Sequence, residues 1–598
     1  MAEFTSFERG ADQGELFIAL VAAVGTDVGL VAAQVATGLE QYAYEAHPLR
    51  LSDYLAEQAA QSFRGKLFDE ELWEAMTAGD ELRNAWERSD ALALHAISDI
   101  VATRYEAAGR DPDDDDESLP ENLTRRAFIL RSLKTPDELE TLRAVYGPRL
   151  IVIAAYSPKD RRLEYLAQRI QDSRNTTDRS KWVHQPEELV ARDEKEEVER
   201  GQDVSGTFHR ADFFVRGWAR DVIEADVART LEILFGSPFR TPTRDEHAQF
   251  MAAGAALRSA EYGRQVGAAI TASDGSIVAL GTNEVPKPGG GSYWEDEPGP
   301  GNRDFEVSDV DTNRRQFEDL AARLSDQADR RLKSLIDQLV GEHDDDVRAV
   351  LDDLRARALE TMPEDLRTGG LKDLTEFGRA VHAEMNALLD AARRGVPVRG
   401  CTLYTTTFPC HNCARHIISA GIARVVFVEP YAKSRTEALH PEAVRVEESD
   451  DHYADGRIEF QPFVGVAPRR YLERFDLTAR ATPACRSSAP SCASTAPANF
   501  SRSSTSTSTP RRVQTRASTG PPKGTVGRHA SVRHVLDIDA VIAHGEGRHG
   551  GRAGAQSGDQ EGDQPGPQRQ RIHAPFRDHR PLRHEVRGAE QEAIAARA

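Results

Sequence analysis

Val381-His382-Ala383-Glu384-Met385-Asn386 and Leu403-Tyr404-Thr405-Thr406-Thr407-Phe408-Pro409-Cys410-His411-Asn412-Cys413 are the two runs that organise the rest of the chain. His382 offers an imidazole nitrogen and the Cys410/Cys413 pair offers two sulfurs, a donor set suited to Zn²⁺. A structural zinc site takes four protein ligands, whereas three leave one position open for water. Two thiolates and a neutral imidazole balance the metal's charge, and Zn²⁺ still draws the pKa of its bound water toward ~7. Glu384 follows His382 by two residues at the same expected helix start, where a carboxylate can serve first as base and then as acid. Alone, Cys-x-x-Cys is also a redox pair or half of a structural zinc site, and an isolated His-x-Glu carries no information. Together and in this order, with a strand leading into the Cys-x-x-Cys helix, they point to a catalytic metal centre.

With these residues in place, the sequence resembles the deoxycytidylate deaminases of the zinc cytidine deaminase superfamily, whose signature is His-x-Glu followed by Pro-Cys-x-x-Cys. Arg258-Ser259 and Arg264-Gln265-Val266-Gly267-Ala268 resemble that family's opening helix and first strand. Gly281-Thr282-Asn283 resembles its Gly-x-Asn turn, and Ala420-Gly421-Ile422-Ala423-Arg424-Val425-Val426-Phe427 the segment after the cysteines. More widely, the chain is similar to a longer bacterial antiphage type that joins an N-terminal P-loop kinase-like domain to the deaminase. Phe128-Ile129-Leu130-Arg131-Ser132-Leu133-Lys134 and Glu429-Pro430-Tyr431-Ala432-Lys433-Ser434 carry that likeness.

The resemblance implies zinc-dependent hydrolytic deamination of a deoxycytidine nucleotide, dCMP or dCTP, with release of ammonia. Glu384 would shuttle protons, and the backbone near Ala383 and the Cys410 helix start would hold the pyrimidine. Asn283 would bind the deoxyribose, against the alternative that it merely stabilises its own turn. Arg264 would contact phosphate, and the protein would be a homo-oligomer. Depletion of dCTP during phage infection is the role implied by the longer type. Housekeeping dCMP deamination for pyrimidine supply and nucleic-acid editing are the alternatives.

Outward from this core, the fold class expected is α/β in two parts. Residues 1–240 read as a parallel-sheet, degenerate P-loop kinase-like domain, and residues 241–475 as a three-layer α/β/α deaminase domain with a helical insertion at about 296–370. Residues 476–598 read as a low-complexity, disordered tail. Leu16–Val24 reads as a buried parallel strand, followed by Gly25-Thr26-Asp27-Val28-Gly29 and a helix expected from about Leu30 to Ala46. Such a strand, turn and helix can cradle phosphate. A Walker A loop, however, needs Gly-x-x-x-x-Gly-Lys-Ser/Thr, and here Leu30-Val31 replace the lysine and the hydroxyl. Gly25, Thr26, Asp27 and Gly29 therefore read as a nucleotide-binding loop without kinase chemistry, or as a purely structural turn; a regulatory nucleotide or RNA is the partner this domain would take. Arg131, Lys134 and Lys159 follow expected strands, where α/β sheets bind ligands.

Further elements are expected at Glu81–Ala107 (helical), Ala127–Leu130, Leu150–Ala155 and Phe213–Val215 (strands), and Ala252–Tyr262 (helix). Val266–Thr271 and Ser276–Leu280 read as a hairpin, Glu376–Arg393 as the helix bearing His382, and Cys401–Thr406 and Val425–Val428 as strands. Pro409 suits the first turn of the Cys-x-x-Cys helix.

Charge and composition set outer limits. The formal net charge is −21, but the segment from Asp476 onward carries 18 basic and 11 acidic residues, leaving −28 for residues 1–475. An acidic body offers no general attraction to nucleic acid, whose nonspecific binding needs basic contacts. Five cysteines without a disulfide framework, no signal peptide and no apolar run of the ~18–20 residues that span a bilayer lead to the expectation of a cytoplasmic protein without a membrane partner. The Arg-rich tail reads either as an RNA-docking segment or as the product of a shifted reading frame.

Overall fold

The computed structural model describes residues 14–58, 66–110, 123–175, 184–194, 201–297, 301–307, 312–340, 345–368, 377–430, 434–446 and 456–476. The acidic run at 111–116 and the low-complexity tail lie outside the described residues.

The first sheet is built on β1 (Leu16–Ala22), whose LFIALVA run is buried at every position. Alternate side chains go to opposite faces. Leu16, Ile18 and Leu20 meet Val31, Val35 and Leu39 of the Val28–Glu40 helix and Ile223, Val227 and Leu231 of the Arg220–Leu234 helix. Phe17, Ala19 and Val21 belong instead to the core formed with the Ala91–Ala108 and Pro136–Tyr146 helices. Cover on both faces explains why these strands read as continuous apolar runs. With β2 (Glu45–Arg50), β3 (Arg126–Arg131), β4 (Leu150–Tyr156) and β5 (Phe213–Arg216), the parallel order is β5-β4-β1-β3-β2.

The second sheet comprises β6 (Gly267–Thr271), β7 (Ile277–Thr282), β8 (Thr402–Thr407), β9 (Arg424–Glu429), β10 (Val444–Arg445) and β11 (Ile458–Pro462). Its order is β10-β11-β9-β8-β6-β7, parallel from β10 to β8 and antiparallel through β6 and β7. The Arg244–Ala256 helix covers one face; the Ala383–Arg393 and His411–Ala420 helices cover the other. These are the α/β layers the sequence predicts. The chain then returns: β12 (Gly465–Val466) pairs antiparallel with β5 and extends the first sheet.

Four boundaries differ from the sequence reading. The helix after β1 ends at Glu40, and Glu45–Arg50 is an edge strand, where the missing N–H of Pro48 is tolerated. The helical stretch at 81–107 divides into Phe68–Ala85 and Ala91–Ala108. The helix expected over Ala252–Tyr262 runs instead from Arg244 to Ala256, its start set by the reciprocal capping box of Thr243 and Glu246. The helix expected from Glu376 begins at Ala383, because Val381 exchanges both backbone hydrogen bonds with Glu284 and is held extended. The insertion forms two helices, Thr312–Val340 and Asp345–Thr368, packed on each other. Among the described residues, no helix is long and apolar enough to cross a membrane.

Candidate active site

Two helix N-termini converge at the site. Ala383, Ala387 and Ala391 form a fully buried stripe of small residues on the Ala383–Arg393 helix. Gly281 of β7 lies beneath it: an added Cβ would stand 2.0 Å from the Ala383 carbonyl oxygen and 2.4 Å from the Ala387 nitrogen. The helix backbone thus rests directly on the strand and fixes His382, its N-cap. Cys410 is the N-cap of the His411–Ala420 helix, and Cys413 lies in its first turn. Pro409 therefore precedes the cap and does not occupy the first turn. The Ser434 hydroxyl donates to the Pro409 carbonyl at 2.8 Å, and the Phe408 N–H donates to the Glu429 carbonyl at 2.8 Å, fixing the approach to the cysteines.

The ligand atoms of His382, Cys410 and Cys413 all lie within 4.8 Å of one another. His382 Nδ1 is 3.3 Å from each sulfur. A tetrahedral zinc ion with usual bond lengths sets N···S separations of about 3.6 Å, so the three donors fit zinc in both chemistry and spacing. Helix N-termini favour thiolate at both cysteines. Taken as protein groups alone, the Cys410 thiol is pulled down to about 4, first by its hydrogen bond with Cys413. His382 is raised to about 9, first by its hydrogen bond with Cys410. Cys413 is pushed well above the usual thiol range, first by Cys410 and then by burial. Protons crowded onto ligand atoms in this way are those that a divalent cation displaces on binding.

Glu384 lies against this cluster and is 4% exposed. Its Oε2 is 3.3 Å from Cys413 Sγ, and its Oε1 is 3.5 Å from the Thr405 hydroxyl, which donates to the Thr407 carbonyl at 3.0 Å. Burial pushes the Glu384 carboxyl up. Asn386, one helical turn from His382, donates to the Thr282 carbonyl and to Ser292 Oγ, both at 2.8 Å, tying the helix to β7 and to the loop that follows Gly289-Gly290-Gly291.

The remaining residues singled out in the sequence are placed as follows. Asn283 is engaged at both ends of its amide: Oδ1 accepts from the Val266 N–H at 2.7 Å, and Nδ2 donates to the Arg264 carbonyl at 2.7 Å. Arg264 is half exposed and pairs with Glu429 at 3.0 Å. Ala383 is fully buried in the first turn of its helix. Gly25, Thr26, Asp27 and Gly29 belong to the first sheet, at the end of β1, where Asp27 caps the Val28–Glu40 helix through the Leu30 N–H at 2.9 Å. Lys134 is held by Asp193. His416 Nδ1 donates to the Asn412 carbonyl at 2.7 Å within its own helix and stays exposed, whereas His411 Nδ1 is buried without a hydrogen-bond partner among the described residues.

Sequence reasoning missed Glu284, fully buried beside Asn283. It accepts two hydrogen bonds from the Arg303 guanidinium and pairs its backbone with Val381, so it anchors the chain just before His382. Its adjacency to the Gly281-Thr282-Asn283 turn was the available signal. A cavity of about 1060 Å³ opens between β7, the Gly290-Gly291 loop and the Ala383–Arg393 helix; Arg258, Lys287, Trp294, Asn386 and Arg393 line it, and His382, Cys410 and Cys413 do not.

The deoxycytidylate deaminase of Enterobacteria phage T2 is 46% identical over 55 residues, which is 9% of this chain and 29% of that protein. ComE operon protein 2 of Bacillus subtilis (strain 168) is 47% identical over 53 residues, 9% of this chain and 28% of the relative. Human deoxycytidylate deaminase is 38% identical over 72 residues, 12% of this chain and 39% of the relative. The matches thus span between about a quarter and two fifths of these relatives' lengths. Among solved structures, the dCMP deaminase of cyanophage S-TIM5 in complex with dCMP and dUMP aligns with 17% identity and a TM-score of 0.19, covering 38% of this chain and 100% of that one. Residues 242–429, which include His382, Glu384, Cys410 and Cys413, match the cytidine and deoxycytidylate deaminase zinc-binding region.

Proposed function

We propose that this protein hydrolyses the exocyclic amine of a deoxycytidine nucleotide, dCMP or dCTP, giving the deoxyuridine nucleotide and ammonia. The observation that carries the proposal is the placement of the buried Glu384 carboxylate against the His382/Cys410/Cys413 cluster at two converging helix N-termini. His382, Cys410 and Cys413 would hold zinc, which would supply the Lewis acidity that makes water a nucleophile near neutral pH. Glu384 would take a proton from water and pass it to the pyrimidine ring nitrogen, then take the proton of the hydroxyl added at the ring carbon and pass it to the departing amine, a base-then-acid sequence that one carboxylate can complete. The Thr405 hydroxyl, near Oε1, restricts the orientations open to the carboxylate. Net, water adds at the ring carbon, the carbon–nitrogen bond breaks and ammonia leaves.

The phage T2 and human relatives are deoxycytidylate deaminases, which supports dCMP. The resemblance of the wider chain to the longer bacterial type supports dCTP and a role in depleting it during phage infection. The deciding experiment measures ammonia release from dCMP, dCTP, CTP, deoxycytidine and a single-stranded oligonucleotide, using zinc-loaded protein and Glu384→Gln as control. Turnover of a deoxycytidine nucleotide that falls ~10²–10⁴-fold in the variant, with zinc retained, is the expected result. Turnover of the oligonucleotide alone, or of no cytosine compound, overturns the proposal. Preference for dCTP favours the defence role, and preference for dCMP favours pyrimidine supply.

A further inference from the structure

The two helices of the insertion, Thr312–Val340 and Asp345–Thr368, run antiparallel, since Arg348 pairs with Asp337 and Arg355 with Asp329, each at 2.6 Å. That register sets Leu339 level with Val347, Leu335 with Val350 and Leu332 with Leu354. On each helix the three residues fall at i, i+3 and i+7, the spacing of a single stripe. Leu335 comes one position before the buried Ile336, just as Val347 and Leu354 come one before Arg348 and Arg355, which reach across the seam. Equal offsets from the seam of two oppositely directed helices lie on the same side, so the two stripes merge into one apolar face. Its six side chains are between 36% and 79% exposed.

The hairpin by itself covers little apolar surface. Ala321 and Ile336 are the buried residues among the 29 of the first helix, whereas helices in proteins are held chiefly by packing an apolar face. A contiguous exposed apolar face rimmed by charge marks a site of association. Arg331, one position before Leu332, borders the face on the first helix. Asp346 and Asp353, one before Val347 and Leu354, border it on the second. All three are exposed, Asp353 while meeting Arg357 of its own helix at 2.8 Å. At the level of the stripes, one rim is therefore basic and the other acidic. A two-fold axis parallel to the helices lays the first helix of one copy over the second helix of another. Arg331 of each copy then meets Asp353 of the other, and each leucine stripe covers the opposite copy's Val347, Val350 and Leu354. An interface between identical chains requires this self-complementarity.

We propose that this face joins two copies of the chain, their hairpins packing into a four-helix bundle with Arg331–Asp353 pairs along both edges. The family resemblance implies a homo-oligomer, but the motifs that carry it all lie outside the hairpin. The interface does not depend on the deaminase reading, since it uses no residue of the His382/Cys410/Cys413 site.

The test is sedimentation of the full-length protein over a concentration series, with circular dichroism to check that each variant is folded. Leu335→Asp and Val350→Asp place a charge inside the apolar layers and should lower the particle mass at least twofold. Arg331→Asp and Asp353→Arg should each weaken association at least about tenfold, and the double variant should restore it to within about threefold of the wild type. If Leu335→Asp and Val350→Asp fail to fold, the exposed charge pair decides the matter. A wild-type protein that sediments as a single chain, a mass unchanged in every folded variant, or a double variant no tighter than either single one overturns the proposal.

Discussion

Gly281→Ala should uncouple the metal centre from the sheet. The new methyl would sit 2.0 Å from the Ala383 carbonyl oxygen, whereas real Cβ contacts are essentially never under 3.0 Å, so the helix must retreat by about 1 Å at its first turn. That turn carries His382 and Glu384, while Cys410 and Cys413 stay on their own helix. Overpacking of this kind costs about 1–3 kcal/mol of stability. A 1 Å misplacement of catalytic groups costs ~10²-fold in rate. Gly267→Ala provides the control. Its methyl would lie 1.9 Å from the Ala252 carbonyl oxygen on the opposite face, against a helix that carries no metal-ligating residue. The two variants should lose similar stability by thermal melting. Only Gly281→Ala should lose zinc per chain, by elemental analysis, and kcat/KM for the deoxycytidine nucleotide. Full zinc and activity in Gly281→Ala, at a melting temperature equal to that of Gly267→Ala, would refute this account of how the site is held.

Cys410→Ala and Cys413→Ala should each abolish stoichiometric zinc and turnover, whereas Cys401→Ala, altering a buried thiol at the foot of β8, should keep both; zinc loss in Cys401→Ala would contradict the ligand assignment. Asn283→Ala removes two hydrogen bonds to the backbone at 264 and 266 and should cost about 1–3 kcal/mol by denaturant unfolding. Unchanged stability with a raised KM would instead point to contact between Asn283 and the sugar. His95, stacked on Tyr54, has its pKa lowered by burial from 6.5 to about 4. The unfolded chain then binds the extra proton between those values, so stability should fall as pH drops from 6.5 toward 4, by at most about 3 kcal/mol and less with solvent screening. His95→Asn should flatten that limb in pH-dependent unfolding, and an unaltered limb would assign it to other groups.

The His382/Cys410/Cys413 cluster was legible because its donors fall at fixed offsets on two local elements, and spacing alone brings Cys410 and Cys413 together. The buried strands were legible because helices cover both faces, leaving an uninterrupted apolar run such as Leu16–Ala22. What was not legible depends on contacts distant in sequence. The start of the His382 helix is set by a backbone pairing between Val381 and Glu284 across the whole insertion. β2 carries Glu45, His47 and Pro48, a pattern that only its edge position makes acceptable as a strand. β12 has just two residues and no periodicity to detect. Asn283 has a partner 17 residues away that no turn rule would supply.

The two sheets meet at carboxylates that neither could satisfy alone. Glu246, fully buried in the first turn of the helix covering the second sheet, closes its own capping box with Thr243. It also pairs with Arg229, from the Arg220–Leu234 helix of the first sheet, and accepts the Val466 N–H of β12 at 2.8 Å. Gly465 is close enough that an added Cβ would strike the Glu246 side chain. Asp212, just before β5, accepts the Val152 N–H at 2.8 Å and pairs with Arg469 and Arg470 from beyond β12. A buried carboxylate stripped of its partners costs several kcal/mol, so separation of the two sheets would be resisted at both points. Ala248 and Ala252 of the same helix, with Ala269, Tyr404 and Val426 of the second sheet, join the apolar cluster of Phe17, Phe128 and Phe214 in the first. The Gln249 amide also donates to the Thr405 carbonyl at 3.0 Å, in the strand whose hydroxyl faces Glu384. A continuous line of packed residues therefore runs from the first sheet to the Glu384 carboxylate.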